Sequence, residues 1–553
     1  MPALSRVDAL VLLAVFGAGV FLAGLELMIT AVALPAIVID LADWTRLREA
    51  SWIVNGYLLA YVVTMPLAGR LADIVGTRRL FLAALAVFTV GSALAGRAQS
   101  LEELVAARIV QAIGGGALVP VATAAASHLF DGVARPRALG VVGALTFLGM
   151  AAGPFAGAAI LGSFHPEVVV ARLAGPTGGG SGLAELLAPA WRWVFYVNVP
   201  VGIVALFLGW AASAGWETPR RRTRVDVPGA VLFSVALAGG LAALTLLGTT
   251  DDVVGIEAGT LTIGLAIAAV LATALAIARG LSITDPFLDP RLFRILPFAS
   301  AALVSLLTGY ALATAIVGGA VFVDRVLYGG PDDQRLALGA LAGATAVGAL
   351  VSGFVVRVLS LRVVTLAGLG AAALGLFRMA AWTPGTTILE VAGWLAVFGL
   401  GFGLTVTPRS TAAVEAAGRA AFGIASATVT VARMVGMAVG LAILTAYGST
   451  TIDRLYDEVY ATPDAYRQFI PVALRDRPLN DGQVVEALER WAAGEAARIM
   501  VGIVVVAAIL TLVAIVPALA LERGRRMLAP SEAGTEGVDG AQRGSSGEPT
   551  VAL

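Results

Sequence analysis

A chain of 553 residues with 58% hydrophobic and only 13% charged residues has too little polar surface to fold as a water-soluble protein. Its 37 basic residues balance its 37 acidic ones, so no general affinity for nucleic acid is implied. Lysine and cysteine are absent, which excludes disulfides, thiolate metal sites and the lysine of a phosphate-binding loop. We expect an integral membrane protein that is not an enzyme and holds no metal or organic cofactor.

Apolar runs of about twenty residues, the length that crosses a bilayer as a helix, recur along the whole chain. The first run is longer than the core of a signal peptide, so we expect it to stay in the membrane. An even number of spans places both termini on the same side. The predicted spans are 9–39, 51–69, 79–97, 103–126, 138–162, 191–213, 227–248, 259–279, 297–327, 335–357, 363–382, 388–407, 420–447 and 496–521.

Arginine placement predicts which side carries the termini, because positive residues concentrate in cytoplasmic loops. The arginines fall on alternate loops, so we predict cytoplasmic termini in a multi-pass protein of a bacterial cytoplasmic membrane. The residues concerned are Arg78, Arg79, Arg135, Arg137, Arg220, Arg221, Arg222, Arg224, Arg291, Arg294, Arg409, Arg419, Arg523, Arg525 and Arg526.

The turn between the second and third spans carries the most specific pattern, with Gly69, Asp73, Gly76, Arg78 and Arg79 in fixed spacing. The glycines permit a tight turn and close helix approach, and the carboxylate can accept bonds from arginines or from a helix N-terminus. The pattern resembles the loop signature of the Major Facilitator Superfamily, and we interpret it as a latch that holds one conformation shut.

That resemblance implies an all-α polytopic membrane protein with two six-helix bundles, at 1–213 and 291–527. A linker at 214–290 would contribute two extra transmembrane helices. Residues 528–553 are rich in Gly, Ser and Glu, a composition typical of a disordered segment, and would form a cytoplasmic tail. We expect a monomer.

Three further segments resemble motifs of the superfamily. Arg108, with Gln111 and residues 114–116, resembles the fourth-span motif, and the other two segments resemble its fourteen-span drug/proton antiporters. Gly149, Gly153, Pro154 and Gly157 resemble the antiporter motif of the fifth span, and residues 191–200 resemble the beginning of the sixth. Small residues at this spacing let helices pack closely, and a proline-bent helix with a glycine face can also hinge, so packing and hinging both remain open.

Glu26 is an acid near the centre of the first span, in a segment that resembles the first span of the superfamily. Because an ionised carboxylate there costs about 3 kcal/mol, we expect Glu26 to be neutral for part of a cycle or to face water, as a proton carrier does. Arg108 in the fourth span would increase its acidity. Met28 and Ala31 replace a hydroxyl and an amide of the superfamily pattern, which reduces hydrogen bonding to a polar substrate.

Residues 448–495 form a long outer segment with helical periodicity, which predicts extensions of the last two spans that pack as a hairpin. The layout resembles the triacylglyceride exporters of the superfamily, which work with a lipoprotein, so the resemblance implies an extracytoplasmic lipoprotein partner. We place Asp324 and Trp491 on a substrate route with Met28 and Ala31.

Arg433, in the penultimate span, resembles a residue of the superfamily, and we interpret it as a structural charge. The leading hypothesis is an exporter of hydrophobic or amphiphilic compounds, lipids or drugs, that works by alternating access and draws on the proton gradient. An exporter of lipid that does not act on drugs is the alternative. Uptake of a polar solute and a role as a membrane enzyme or sensor are the more distant ones.

Overall fold

Helices and turns alone make up the described part of the computed structural model, which contains no strand. The structure describes residues 5–41, 52–132, 134–163, 189–214, 226–246, 257–418, 421–460, 465–479 and 481–521, and positions 166, 187, 216 and 218. The predicted tail at 528–553 and the arginines at 220–224, 419 and 523–526 lie outside these residues, as do the side chains of a few helical positions, Ala31 among them.

The described residues of the N-terminal half form seven helices. They are α1 (Arg6–Leu41), α2 (Trp52–Val75), α3 (Thr77–Arg97), α4 (Leu101–Leu129), α5 (Ala134–Ser163), α6 (Ala190–Tyr196) and α7 (Asn198–Ala212). Only Val197 separates α6 from α7, and the two together make one span.

The remaining helices are α8 (Val227–Leu246), α9 (Ala258–Ser282), α10 (Leu296–Val321), α11 (Pro331–Val355), α12 (Leu361–Met379), α13 (Ile388–Ala417), α14 (Phe422–Tyr460), α15 (Gly482–Val513) and α16 (Ile515–Ala518). A π turn, Phe322–Val326, continues α10, and 3-10 turns lie at Pro290–Arg294, Ala465–Phe469 and Val472–Leu474.

Fourteen helices in the described residues are long and apolar enough to cross a membrane, so the predicted all-α architecture with fourteen spans is confirmed. Hydroxyl side chains set several helix starts. Ser100, Ser360 and Thr387 each accept the backbone N–H of the residue three positions later, which satisfies an otherwise unpaired donor of the first turn.

The spans pack as two halves. In the first, α1 packs on α5, and α4 packs on both α2 and α3. In the second, α13 packs on α11 and α12, and α10 packs on α14. Two joints connect the halves, one where α2 meets α14 and one where α5 meets α11. Any pathway between the halves must therefore pass between these two joints.

The extra helices α8 and α9 pack on each other, and α8 also contacts α2 and α14. Asp226 fixes their ends: its Oδ1 accepts Arg279 Nε at 2.8 Å, and its oxygens also accept the backbone N–H groups of Gly229 and Phe287. Burial raises the pKa of Asp226, but these hydrogen bonds outweigh it and hold the pKa below its ordinary value. The carboxylate stays ionised and ties both helices to the turn before α10.

A small helical extension lies beyond the bilayer-length part of α14. Helix α14 is 39 residues long, about twice the length that crosses a bilayer, and it continues to Tyr460, while the next α-helix of the described residues starts at Gly482. Between them, apolar side chains form a separate core, and the Phe469 and Trp491 rings lie 4.5 Å apart. The buried members of this core are Val459, Tyr466, Ile470, Val484 and Ala487.

Candidate functional site

A buried charged network lies at the centre of the N-terminal half, around Glu26 of α1. The Glu26 side chain is fully buried. Its Oε1 accepts Arg108 Nη1 at 2.5 Å and Thr30 Oγ1 at 3.0 Å, and its Oε2 accepts Asn198 Nδ2 at 2.6 Å. The structure thus brings the two predicted proton-coupling residues together, with helices α1, α4 and α7 each supplying a partner.

Arg108 extends this network away from Glu26. Its Nη1 also donates to Gln111 Oε1 at 2.6 Å, and Gln111 Nε2 donates to Ser92 Oγ at 2.8 Å. The Tyr57 ring covers the guanidinium, 3.9 Å from Cζ to the ring centroid. Arg108 therefore keeps a neutral acceptor and an aromatic face even when Glu26 carries no charge.

The predicted latch joins α2 to α14. Asp73 Oδ1 accepts the Gly423 N–H at 2.8 Å and Oδ2 accepts the Ile424 N–H at 3.0 Å, so the carboxylate caps the N-terminus of α14. A Cβ at Gly69 would lie 2.5 Å from the Gly423 carbonyl oxygen, which explains the glycine. Gly76 has φ 101°, a conformation that glycine adopts without strain.

The motif also contacts α7 through Arg78. Arg78 Nε donates to Ser213 Oγ at 2.8 Å, at the end of α7, and Arg79 is exposed. Two kinds of partner are predicted for Asp73, arginines or a helix N-terminus. The structure shows the second kind, the N-terminus of α14. We call the side of the bundle that carries this turn the arginine face.

The second joint is also tightly packed on the arginine face. A Cβ at Gly353 of α11 would lie 2.8 Å from the Pro136 carbonyl oxygen, and the Gly140 Cα would lie 3.2 Å away. Arg137 lies over the Phe354 ring at 5.5 Å. Both connections between the halves are therefore closed on this face.

The fifth-span glycines form the contact between α5 and α1. A Cβ at Gly149 would meet the Phe21 carbonyl oxygen, one at Gly153 would lie 2.9 Å from the Leu25 carbonyl oxygen, and one at Gly157 would lie 3.2 Å from Ile29. The backbones of α1 and α5 touch along this seam. The structure thus displays the packing role, and the hinge role remains a prediction.

An apolar cavity of about 550 Å³ lies between α1, α5, α10 and α11. It extends from Phe147 and Thr345 to Gln334 and Arg335, which lie at the start of α11 on the face opposite to the arginine face. Apolar side chains line most of it: Met28, Val32, Met150, Phe155, Leu312 and Leu338. Pro154 also lines the cavity, so both Met28 and the proline of the antiporter motif reach a common space.

Two arginines lie within helices of the C-terminal half, Arg409 buried and Arg433 half-buried. Arg433 lies over the Phe147 ring at 5.3 Å. The prediction that Arg409 lies in a loop is wrong. Helix α13 continues to Ala417, and Arg409 is buried within it, with only 2% of the residue exposed. Neutral oxygens hold it inside the helix bundle: Nε donates to the Thr405 carbonyl, and Nη1 donates to Thr308 Oγ1.

The other substrate-route residues do not converge on the cavity. Asp324 lies half exposed in the π turn after α10 and forms an ion pair with Arg325 at 3.0 Å. Trp491 packs in the outer extension. Ala31 belongs to α1, but its side chain lies outside the described residues.

Sequence comparison identifies the family. The profile of the Major Facilitator Superfamily matches residues 16–441. The chain belongs to this superfamily. It is similar to the triacylglyceride transporter of Mycolicibacterium hassiacum, 34% identical over 77% of this chain and 76% of the relative. It is also similar to a triacylglyceride transporter of Mycobacterium tuberculosis, 32% identical over 73% and 75% of the two chains.

Solved structures of superfamily members share the fold at low sequence identity. The human organic anion transporter TETRAN matches with a TM-score of 0.56 at 14% identity, covering 91% of this chain and 99% of the other. A bacterial homologue of the lysosomal transporter Spinster, in an inward-facing conformation, matches with a TM-score of 0.52 at 16% identity, covering 94% and 98%.

Sequence reasoning assigned no role to two polar members of this network. Asn198, which binds Glu26, lies inside the quoted sixth-span segment without having been assigned a role. Gln111 belongs to the predicted fourth-span pattern and follows Arg108 by one helical turn, a spacing that puts both on one face. A rule that examines every polar side chain inside a predicted span would have selected both.

Proposed function

We propose that this protein exports lipids of the triacylglyceride class across the cytoplasmic membrane by alternating access, with Glu26 exchanging the coupling proton. The observation that carries the proposal is the apolar cavity between α1, α5, α10 and α11. Its volume falls within the range of ligand sites, and a neutral apolar molecule needs few hydrogen bonds from its walls. The sequence similarity to triacylglyceride transporters supports the same substrate class.

The proposed orientation places the arginine face in the cytoplasm, because positive residues favour that side. Both joints are closed on this face, while the cavity reaches the opposite one. The described conformation would then be an outward-facing one, in which a lipid leaves the cavity on the outer side. Release of Asp73 from α14 would accompany the opening of the cytoplasmic side.

Proton coupling would work through the Glu26–Arg108 pair. Ionised Glu26 holds Arg108 and Asn198, which come from α4 and α7. Protonation removes the negative charge and weakens both bonds, while Gln111 remains an acceptor for Arg108. Protonation of Glu26 can therefore change the contacts among α1, α4 and α7 while the Arg108 guanidinium keeps a hydrogen-bond acceptor in Gln111.

This proposal favours the lipid alternative over export of drugs. The curated relatives are named for triacylglycerides, and the walls of the cavity are apolar apart from a few groups such as Gln334 and Arg335. An arrangement for polar solutes would need more polar wall groups.

We expect Ala151→Trp to block transfer of triacylglyceride, because Ala151 lines the cavity and an indole there would occupy space needed by an acyl chain. The measurement is transfer of labelled triacylglyceride from proteoliposomes to acceptor vesicles under an imposed pH gradient. Val270→Trp is the matched control, since Val270 is 68% exposed on α9 and faces away from the bundle. Equal transfer by the wild type and both variants would contradict the proposal.

The outer extension provides a second test of the lipid assignment. Replacement of residues 453–493 by a Gly/Ser linker should impair triacylglyceride transfer more than efflux of a small cationic dye, because the extension would shield acyl chains from water. Both activities are measured in the same proteoliposomes. A Trp491→Ala variant, which removes one ring of the Phe469 contact, should show a smaller loss of the same kind. Equal loss of lipid and dye transport would indicate misfolding.

A further inference from the structure

Arg409, which is buried, and Arg433, which is half-buried, carry two positive charges inside the helix bundle without an acid. In the described part of the chain neither residue forms an ion pair, and the two guanidinium groups lie over the two rings of one aromatic pair, Phe147 and Phe402. Glu26 is already bound to Arg108 in the other half. The Arg433 Nε has no hydrogen-bond partner, and Arg409 has only neutral acceptors.

Such an arrangement is costly unless something neutralises it. A charged side chain inside a membrane protein normally pairs with an opposite charge or faces water, and unpaired intramembrane charges mark substrate or ion pathways. Here the nearby oxygen groups are neutral, among them the hydroxyl groups of Thr308 and Tyr61. An anion bound next to both arginines would neutralise them.

Two phenylalanines place both arginines next to the apolar cavity. Arg433 lies over the Phe147 ring at 5.3 Å and Arg409 over the Phe402 ring at 5.2 Å. The two rings touch edge to face, with centroids 5.6 Å apart. Phe147 also lines the cavity. The apolar cavity and the two arginines therefore both border the Phe147–Phe402 pair.

We propose that this site binds an amphiphile, with its acyl chain in the cavity and an anionic phosphate or carboxylate headgroup between Arg409 and Arg433. Phe147 belongs to α5, whereas the two arginines belong to α13 and α14. Movement of the halves at the α5 joint would expose the arginines to the headgroup. The inference rests on the proposed lipid transport and extends it from neutral lipids to acidic ones.

The test compares ligands that share their acyl chains. The full-length protein in phosphatidylcholine nanodiscs is titrated with dioleoyl phosphatidic acid, dioleoylglycerol or inorganic phosphate, and binding is measured by native mass spectrometry. We expect the wild type to bind phosphatidic acid at least about tenfold more tightly than dioleoylglycerol, because charge-assisted bonds to guanidinium are strong. Inorganic phosphate alone should compete poorly, since it lacks the acyl chains.

Arginine variants distinguish a specific headgroup site from a general effect of positive charge on lipid binding. Arg433→Gln and the double variant Arg409→Gln with Arg433→Gln should lose the preference for phosphatidic acid and keep their affinity for dioleoylglycerol, which also shows that they fold. Arg433→Lys should retain part of the preference. Arg378→Gln is the matched control, because Arg378 is exposed and lies over Trp394 at 4.9 Å.

The possible results distinguish the headgroup site from the proposed transport function. A preference that survives in the double variant, or that is absent from the wild type, overturns the headgroup site. Strong, arginine-dependent competition by inorganic phosphate would assign the pair to a free anion and overturn the lipid assignment. Wild-type protein that transfers triacylglyceride without any headgroup preference overturns only this inference, whereas a headgroup preference without gradient-driven transfer contradicts only the proposed function.

Discussion

Glu26→Gln is expected to abolish lipid transfer driven by a pH gradient while leaving gradient-free exchange of lipid in place. The amide has almost the shape of the carboxylate but cannot take up and release a proton at physiological pH. Transfer by the variant under an imposed gradient should fall to the level of the same variant without a gradient. Parallel assays in proteoliposomes, with and without the gradient, measure the difference.

The same substitution also leaves Arg108 as a buried charge without a counter-charge, so a folding defect must be distinguished from a coupling defect. Removal of one partner of a buried ion pair costs about 3 kcal/mol or more. Combining Glu26→Gln with Arg108→Gln removes the isolated charge and should restore much of the thermal stability without restoring coupling. Thermal unfolding of each purified variant measures this effect.

Thr30→Val is the matched control for the site. It removes one hydrogen bond to Glu26 Oε1 and keeps both the shape and the ion pair. We expect a loss of about 1 kcal/mol in stability and preserved coupling. Undiminished gradient-driven transfer by Glu26→Gln would contradict the assignment of Glu26 as the proton carrier.

Hydropathy was sufficient to predict the architecture. Each span contains enough apolar residues to cross a bilayer, and this property is local to the sequence. Glu26 and Arg108 were selected because ionisable groups inside spans are rare, and Asp73 was selected from the spacing of the loop pattern; their roles stay predictions. These predictions depend on residues that are close together in the chain or on composition alone.

The contacts between distant helices could not be derived in the same way. Asn198 reaches Glu26 only because α7 has a particular rotation against α1, and a uniformly apolar helix has no pattern that defines its rotation. Arg409 was assigned to a loop because a charge normally ends an apolar run. Its helix continues because the Thr405 carbonyl and the Thr308 hydroxyl accept its N–H groups.

Asp73→Asn is expected to open the arginine face in a measurable fraction of molecules. The Asp73 carboxylate accepts two N–H groups at the N-terminus of α14, where a negative charge is favoured by the helix dipole. Replacement by a neutral amide should weaken the closed state by about 1 to 2 kcal/mol, which corresponds to about a tenfold shift in population. Lipid transfer should slow as the closed state becomes less populated.

Because the chain has no native cysteine, spin labels can be attached to introduced cysteines without other substitutions. Spin labels on Val75→Cys and Val358→Cys, which are 38% and 75% exposed in opposite halves, report the distance across the arginine face by pulsed electron resonance. When Asp73→Asn is introduced into this doubly labelled protein, the distribution of distances between the two labels should gain a second, longer component. Asp289→Asn is the control, because Asp289 caps only the turn before α10 and asparagine caps equally well. An identical distribution in the wild type and Asp73→Asn would show that the closed state does not depend on this carboxylate, and that the tight glycine contact between α2 and α14 is sufficient to hold it.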